Sequence, residues 1–313
     1  MKIFGGIDIG GTKCATVLAR TSKNGAEFLS RREIPTVGSY EAVLDTCCRN
    51  LLAQIAGAEL IPGAVEGIGI SCGGPLDAAR GRILSPPNLP GWDDVPVTDI
   101  VAQKTGIAAR LKNDADACAV AEWKYGAGAG AQNMIFLTFG TGLGAGLILG
   151  GGLYSGACGM AGELGHWRMR QTGAVGYGKA GSLEGFCSGG GLSRTAALRY
   201  AEFPDSLLFG TAQGGSVTAK DIAAAARAGD RFALELMREC GEVFGLAASY
   251  LIDLLNPELI VAGGVFMRAH DLILPYAQAV IDRECLPQTK SLCRILPSAL
   301  GERIGDYGAI CAF

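Results

Sequence analysis

Ile7-Asp8-Ile9-Gly10-Gly11-Thr12-Lys13 reads as the end of one strand, a tight turn and the start of the next. Glycines and a hydroxyl in such a hairpin expose backbone N–H groups and a donor, which suits phosphate oxygens. Asp8, at the strand end, is a hard oxygen ligand suited to holding Mg²⁺ through water. The GxxxxGK[ST] spacing of a P-loop is absent. A dinucleotide fingerprint needs a helix after the turn, and here Cys14 to Arg20 continues as a strand. A single copy is modestly specific, since an ordinary Gly-rich hairpin reads the same way. The chain has a second copy. Leu137-Thr138-Phe139-Gly140-Thr141-Gly142-Leu143 repeats strand, Gly/Thr turn, strand. The two halves therefore read as a diverged duplication, each offering one phosphate-facing hairpin.

Between the two copies lies Ala109-Arg110-Leu111-Lys112-Asn113-Asp114-Ala115-Asp116-Ala117. A short strand ends at Leu111 or Lys112, and a helix runs from Asp114 to Tyr125. Asn113 is a good cap, and Asp114 sits in the first turn, where the helix dipole favours an anion. Taken alone this is an ordinary capped helix. Beside two phosphate hairpins, a carboxylate at a strand end is what phosphoryl transfer to an alcohol needs, to orient the hydroxyl and take its proton.

Bulk properties narrow the classes. The chain has 313 residues, 49% hydrophobic and 18% charged, enough for two packed domains. A net charge of -3 gives no electrostatic reason to expect nucleic acid or an anionic membrane as a partner. The 48 glycines are about twice the usual ~7% share and cluster at turns, which suggests backbone approaching a ligand closely. The 11 cysteines are odd in number, include no CxxC and fall mostly in apolar runs, so a reducing, cytoplasmic compartment without a disulfide framework is expected. The start runs into Asp8 too soon for a signal peptide, and no apolar run approaches the ~20 residues of a membrane span.

Further strands are expected at Glu27–Glu33 (after an Asn24-Gly25 turn signal), Val65–Ser71, Met134–Phe139, Gly144–Leu149, Glu258–Ala262 and Cys293–Pro297. Helices are expected over Tyr40–Ala56, Pro96–Thr105, Asp230–Leu255 and Asp271–Glu284, the last broken by or beginning near Pro275. Thr218-Ala219-Lys220-Asp221 opens another helix in a weak capping-box arrangement. Gly305 to Phe313 is a small apolar helix, too short to stand alone, so it must dock. The loop Ser85–Trp92 is stiffened by three prolines and carries Asn88 and an indole. The run Gly156–Gly191 is expected to be irregular. It holds Gly162-Glu163-Leu164-Gly165-His166 and, downstream, Glu184. Two carboxylates and an imidazole, in a loop otherwise poor in charge, suit the vicinal hydroxyls of a sugar, although a turn cap and a satisfied histidine would read alike. Val261-Ala262-Gly263-Gly264-Val265, a strand ending in two glycines, lets a flat ring slide over the backbone.

Taken together, Asp-x-Gly-Gly-Thr-Lys, Asn-Asp, Gly-Thr-Gly-x-Gly, Gly-Glu-x-Gly-His, Glu-Gly-x-x-Ser-Gly and Ala-Gly-Gly-Val resemble the ROK family of sugar kinases and repressors, over essentially the whole chain. The resemblance implies an α/β, actin-like and ribonuclease H-like pair of domains with a central cleft. The N-terminal domain would be residues 1–112, completed by the helix 301–313, and the larger one residues 113–300. It implies Asp114 as catalytic base. Gly73, Asn88, Asn113, Asp114, Glu163, His166 and Glu184 would bind the sugar. Asp8, Gly10, Gly11, Thr12, Lys13, Thr141, Gly142, Gly263 and Gly264 would serve ATP and Mg²⁺. The family's repressors carry an N-terminal helix-turn-helix, and this sequence opens directly on the hairpin, which points to the kinase branch. The expected reaction is phosphorylation of a hexose, glucose foremost, at its 6-hydroxyl. N-acetylglucosamine, N-acetylmannosamine, mannose, fructose and allose are rival sugars. A non-catalytic sugar-sensing regulator and an actin-like ATPase acting on proteins are rival classes. A homodimer is compatible with the family.

One departure stands out. Zinc-bearing ROK members follow the His with a CxCGxxGC cluster. Here Val175, Tyr177 and Ser182 stand where the three thiolates would be. His166 alone cannot make a tetrahedral site, so no structural zinc is expected. The loop would instead be held by packing and hydrogen bonds around Tyr177.

Overall fold

The computed structural model describes residues 1–22, 25–208 and 217–313. Asn24 of the turn signal lies outside them. The chain divides into two compact units. One comprises Met1–Gly130, Ser155–Gly159 and Glu302–Phe313, the other Ala131–Tyr154 and Met160–Gly301.

In the first unit, β1 (Lys2–Ile9), β2 (Lys13–Ser22), β3 (Gly25–Pro35), β4 (Gly67–Cys72) and β5 (Ala109–Asn113) form one sheet in the order β3-β2-β1-β4-β5. The β1–β2 and β2–β3 pairs are antiparallel, and β1–β4 and β4–β5 are parallel. In the second unit, β6 (Met134–Leu137), β7 (Ala145–Leu149), β8 (Gly152–Tyr154), β9 (Leu259–Ala262) and β10 (Arg294–Pro297) take the order β8-β7-β6-β9-β10, with the same senses. The duplication read from the two hairpins is thus a duplication of a whole sheet.

The helices follow from their apolar stripes and caps. Helix α1 (Tyr40–Gly57) buries Val43, Leu44, Cys47, Cys48, Leu51 and Ile55 on one face. Helix α2 (Val97–Thr105) ends at Gly106 in the left-handed region, and α3 (Asp114–Tyr125) begins at its Asn113 cap. The last helix, Ile304–Cys311, docks on β1, β4 and α3 as its shortness requires. Glycines make the seat. A Cβ at Gly69 would lie 2.0 Å from the Ala309 carbonyl oxygen, and one at Gly67 2.2 Å from the Phe313 ring.

In the second unit, α4 (Leu183–Cys187), α5 (Gly189–Arg199), α6 (Ala219–Arg227), α7 (Arg231–Leu255) and α8 (Gly264–Glu284) supply most of the core. The Thr218/Asp221 capping box forms fully, and α7 stops at Asn256 in the left-handed region.

Three expectations are corrected. The strand Met134–Phe139 ends at Leu137, because Phe139 turns to a φ of 45° and buries its ring against Phe244 and Phe266. The helix expected from Asp271 starts at Gly264 and is kinked at Ala269, with Pro275 inside it. No side chain caps its start at Gly263, so the sequence hid the boundary. The run Gly156–Gly191 is only partly irregular. It contains a 3₁₀ turn at Leu164–His166, a ribbon pairing Val175–Gly176 with Lys179–Ala180, α4 and the start of α5. Glu184 therefore stands in a helical first turn.

Candidate active site

In the first unit the registers align the acids. Asp8 on β1 faces Ser71 on β4, and Ser71 faces Lys112 on β5, one position before Asn113. Asn113 Oδ1 accepts hydrogen bonds from Ala115 N at 2.9 Å and Asp116 N at 3.4 Å. Asn113 is therefore the helix cap that its position predicts. That cap fixes the backbone from which Asp114 projects. Asp114 Oδ1 accepts from Ala115 N at 2.8 Å. Its Oδ2 faces Gly73, 3.8 Å from where a Cβ there would stand, and has no hydrogen-bond partner among the described residues. A Cβ at Gly74 would stand 3.5 Å from Asn113 Nδ2.

Burial raises the pKa of Asp114 above the usual carboxylate range, against its backbone hydrogen bonds. Asp8 is pushed up to about 6, first by burial and then by the charge of Asp114. Asp306, on the last helix, adds to the rise, while the Ser71 hydroxyl and Arg31 oppose it. Arg31 Nε donates to both Asp306 oxygens, at 2.9 and 3.1 Å, and an Arg31 terminal nitrogen donates to Glu33 at 2.9 Å. Glu33 also accepts from Lys13 Nζ at 3.0 Å. The hairpin lysine is thus exposed and lightly held. Arg31, Asp306 and Glu33 carried no signal in the sequence. Only strand pairing and the docking of the last helix bring them here.

The first hairpin closes through Gly10 N to Lys13 O, 3.1 Å, and Thr36 Oγ1 donates to Gly10 O at 2.7 Å. Asn88 lies on it. A Cβ at Gly11 would be 2.5 Å from the Asn88 carbonyl oxygen and 3.2 Å from its Nδ2. The structure thus brings Gly11 and Asn88 together. Trp92, in the same loop, is a core residue beside Tyr40.

In the second unit, Glu184 joins two motifs that lie far apart in sequence. Its Oε2 accepts from Leu143 N at 3.1 Å, and a Cβ at Gly142 would stand 2.8 Å from that oxygen. Gly165 packs on the Leu143 carbonyl, with Glu184 Cβ 3.5 Å from where its own Cβ would be. The second hairpin, the Gly-Glu-Leu-Gly-His turn and Glu184 therefore form one assembly. Glu163 is exposed, and His166 is half-buried with its ring edge-on to Tyr177. The N–H groups of Gly189 and Gly190 donate to the carbonyls of Gly140 and Thr141, at 2.8 and 3.1 Å. The start of α5 thus supports the hairpin, a role the sequence reading did not assign. Gly263 N donates to Leu137 O at 2.9 Å, and Gly264 has a φ of 52° with no room for a Cβ against Phe139.

The loop after His166 is held at Ser182 and Val175 rather than around Tyr177, which is exposed and makes no hydrogen bond among the described residues. Ser182 Oγ, fully buried, accepts from Gly176 N at 3.0 Å and Gly185 N at 3.2 Å. Arg194 donates to the Val175 carbonyl at 2.8 Å. Arg170 pairs with Glu239 and stacks on Phe186. Among the described residues no group of three or more His, Cys, Asp or Glu is placed to hold a metal ion.

A family model described as the ROK family matches residues 4–313. The chain belongs to the ROK family. A glucokinase of Halalkalibacterium halodurans is 32% identical, over 97% of this chain and 92% of its own. The crystal structure of a ROK glucokinase from Streptomyces griseus, in complex with glucose and AMPPNP, is 33% identical with a TM-score of 0.80, covering 99% of this chain and 97% of that one. A ROK transcriptional regulator, a homologue of the E. coli MLC protein, is 25% identical with a TM-score of 0.86, covering 99% of this chain and 77% of that one. The α/β fold with its twin sheets is the actin-like fold of ROK sugar kinases.

Proposed function

We propose that this ROK protein phosphorylates a hexose, glucose foremost, at its 6-hydroxyl, with Asp114 as the base. The coarser part is plain. Related over nearly its whole length to glucokinases, the protein is an ATP-dependent sugar kinase. The observation that carries the finer part is the Asp114 carboxylate. One oxygen is fastened to the first turn of α3, the other is open beside Gly73, and burial raises its affinity for a proton. That suits a group that takes a hydroxyl proton as the oxygen attacks phosphorus. Gly73, Asn88, Asn113, Glu163, His166 and Glu184 would orient the sugar. Gly10 to Lys13, Thr141, Gly142 and Gly263-Gly264 would receive the nucleotide.

Mg²⁺ fits Asp8. The charges of Asp114 and Asp306 both act on Asp8, opposed by Arg31, and a hard divalent ion would relieve that excess through water. When bound, Mg²⁺ would neutralise charge on the phosphates. Lys13, released from Glu33, would add a second positive charge.

All eleven cysteines are unbridged, and among the described residues no helix is long and apolar enough to cross a membrane. Residence in the cytoplasm fits both facts. A sugar-sensing regulator is the second reading, favoured by the likeness to the MLC homologue. It has no use for Asp114 or the phosphate hairpins. ADP release from ATP and Mg²⁺, measured across glucose, mannose, fructose, allose, N-acetylglucosamine and N-acetylmannosamine, decides. Glucose-dependent release is expected, and release with none of the six would overturn the kinase reading.

A further inference from the structure

Tyr177 is an oddly placed residue. It occupies the first position of the two-residue turn that joins Val175–Gly176 to Lys179–Ala180. Its φ is 46° and that of Gly178 is 72°. Two-residue hairpin turns of this hand favour Asn, Asp or Gly where φ is positive, because a larger side chain is strained there. Tyr177 is also 58% exposed, so burial does not explain the choice of a large ring. What the ring does is meet His166. The two ring centroids are 4.8 Å apart at 82°, an edge-to-face contact. The same ribbon holds His166 from its other end, where Lys179 Nζ donates to the His166 carbonyl oxygen. Neither His166 ring nitrogen has a hydrogen-bond partner among the described residues. The imidazole is therefore oriented by the Tyr177 ring and by its own backbone, with both nitrogens free for a ligand.

We propose that Tyr177 is a positioning residue. Its ring fixes the rotamer of His166 so that the imidazole presents a nitrogen to a sugar hydroxyl, and the turn keeps a strained residue there for that purpose. The inference rests on the reading of His166 as a sugar-binding residue. It adds that a neighbour with no hydrogen-bonding part in the site sets the affinity.

The test compares Tyr177→Asn, Tyr177→Phe and His166→Ala, with glucose as the sugar. Asn tolerates the positive φ, so Tyr177→Asn should keep or raise the melting temperature while removing the ring. The expected result is a glucose KM raised roughly three- to tenfold, the scale of one edge-to-face aromatic contact, with kcat and the KM for ATP unchanged. The Tyr177 hydroxyl makes no hydrogen bond among the described residues, so Tyr177→Phe should restore the wild-type KM. The chain has only two histidines, so the His166 imidazole resonances can be assigned by NMR against a His270→Gln variant. They should move in Tyr177→Asn and stay in Tyr177→Phe. An unmoved imidazole, or an unchanged glucose KM in Tyr177→Asn, overturns the proposal. His166→Ala shows which layer failed. If it too leaves the glucose KM unchanged, the sugar reading of His166 falls. If it raises the KM while Tyr177→Asn does not, only the positioning role falls.

Discussion

Glu184 accepts a hydrogen bond from the backbone N–H of Leu143 at 3.1 Å, across 41 residues of sequence. The carboxylate assigned to sugar binding is therefore fastened to the hairpin assigned to phosphate. Replacing it with Ala should disturb both ligands, because the buried-side N–H loses a charged acceptor. We expect the sugar KM to rise about 10- to 100-fold and the ATP KM to rise by a smaller factor. Glu184→Gln keeps an acceptor for Leu143 and should affect the sugar alone. Steady-state kinetics with each substrate varied in turn distinguish the two, and equal ATP effects in both variants would refute the link.

Asp114→Asn keeps the cap geometry around Ala115 and removes the base. Turnover should fall ~10²–10⁴-fold while glucose still binds by calorimetry. Near wild-type turnover would remove Asp114 from the mechanism.

Asp8 carries a pH signature with a definite sign. Its folded pKa of about 6 lies above its ordinary value of 3.8, so folding disfavours its charged form. Its contribution to stability is fully present below pH 4 and is lost as pH rises through 6. Asp8→Asn should therefore match the wild type in melting temperature near pH 4. Above pH 6 it should be the more stable, by on the order of 2–3 kcal/mol, while losing activity. Thermal melts at pH 4 and pH 7.5 check this, and a variant less stable at both would contradict the assignment.

Ser182→Ala should destabilise the second unit by about 1–3 kcal/mol, because the N–H groups of Gly176 and Gly185 lose their acceptor in a buried place. Urea unfolding measures this. An unchanged midpoint would mean that Arg194 and Arg170 hold the loop without it.

The residues show where sequence reading reached and where it stopped. Local chemistry was legible. The Asn113 cap, the Thr218/Asp221 box, the stop at Asn256 and both Gly/Thr turns depend on neighbours within a few positions, and the pattern names them. The motif order sufficed for the family. The start of α8 was illegible, because Gly263 offers no capping side chain. So was the turn at Phe139, whose left-handed backbone is held by the burial of its ring against Phe244 and Phe266 and by a hydrogen bond from Val265 N to its carbonyl, both distant in sequence.

Which residues matter together was decided by tertiary structure alone. The hydrogen bond from Leu143 to Glu184, the seat of Asn88 on Gly11, and the row from Asp306 through Arg31 and Glu33 to Lys13 join parts of the chain that no spacing relates. The physical reason is that a motif fixes the chemistry a side chain can offer. Packing fixes its dielectric surroundings and its partners, and so whether a carboxylate such as Asp8 or Asp114 is an ordinary surface acid or one whose proton affinity has been raised.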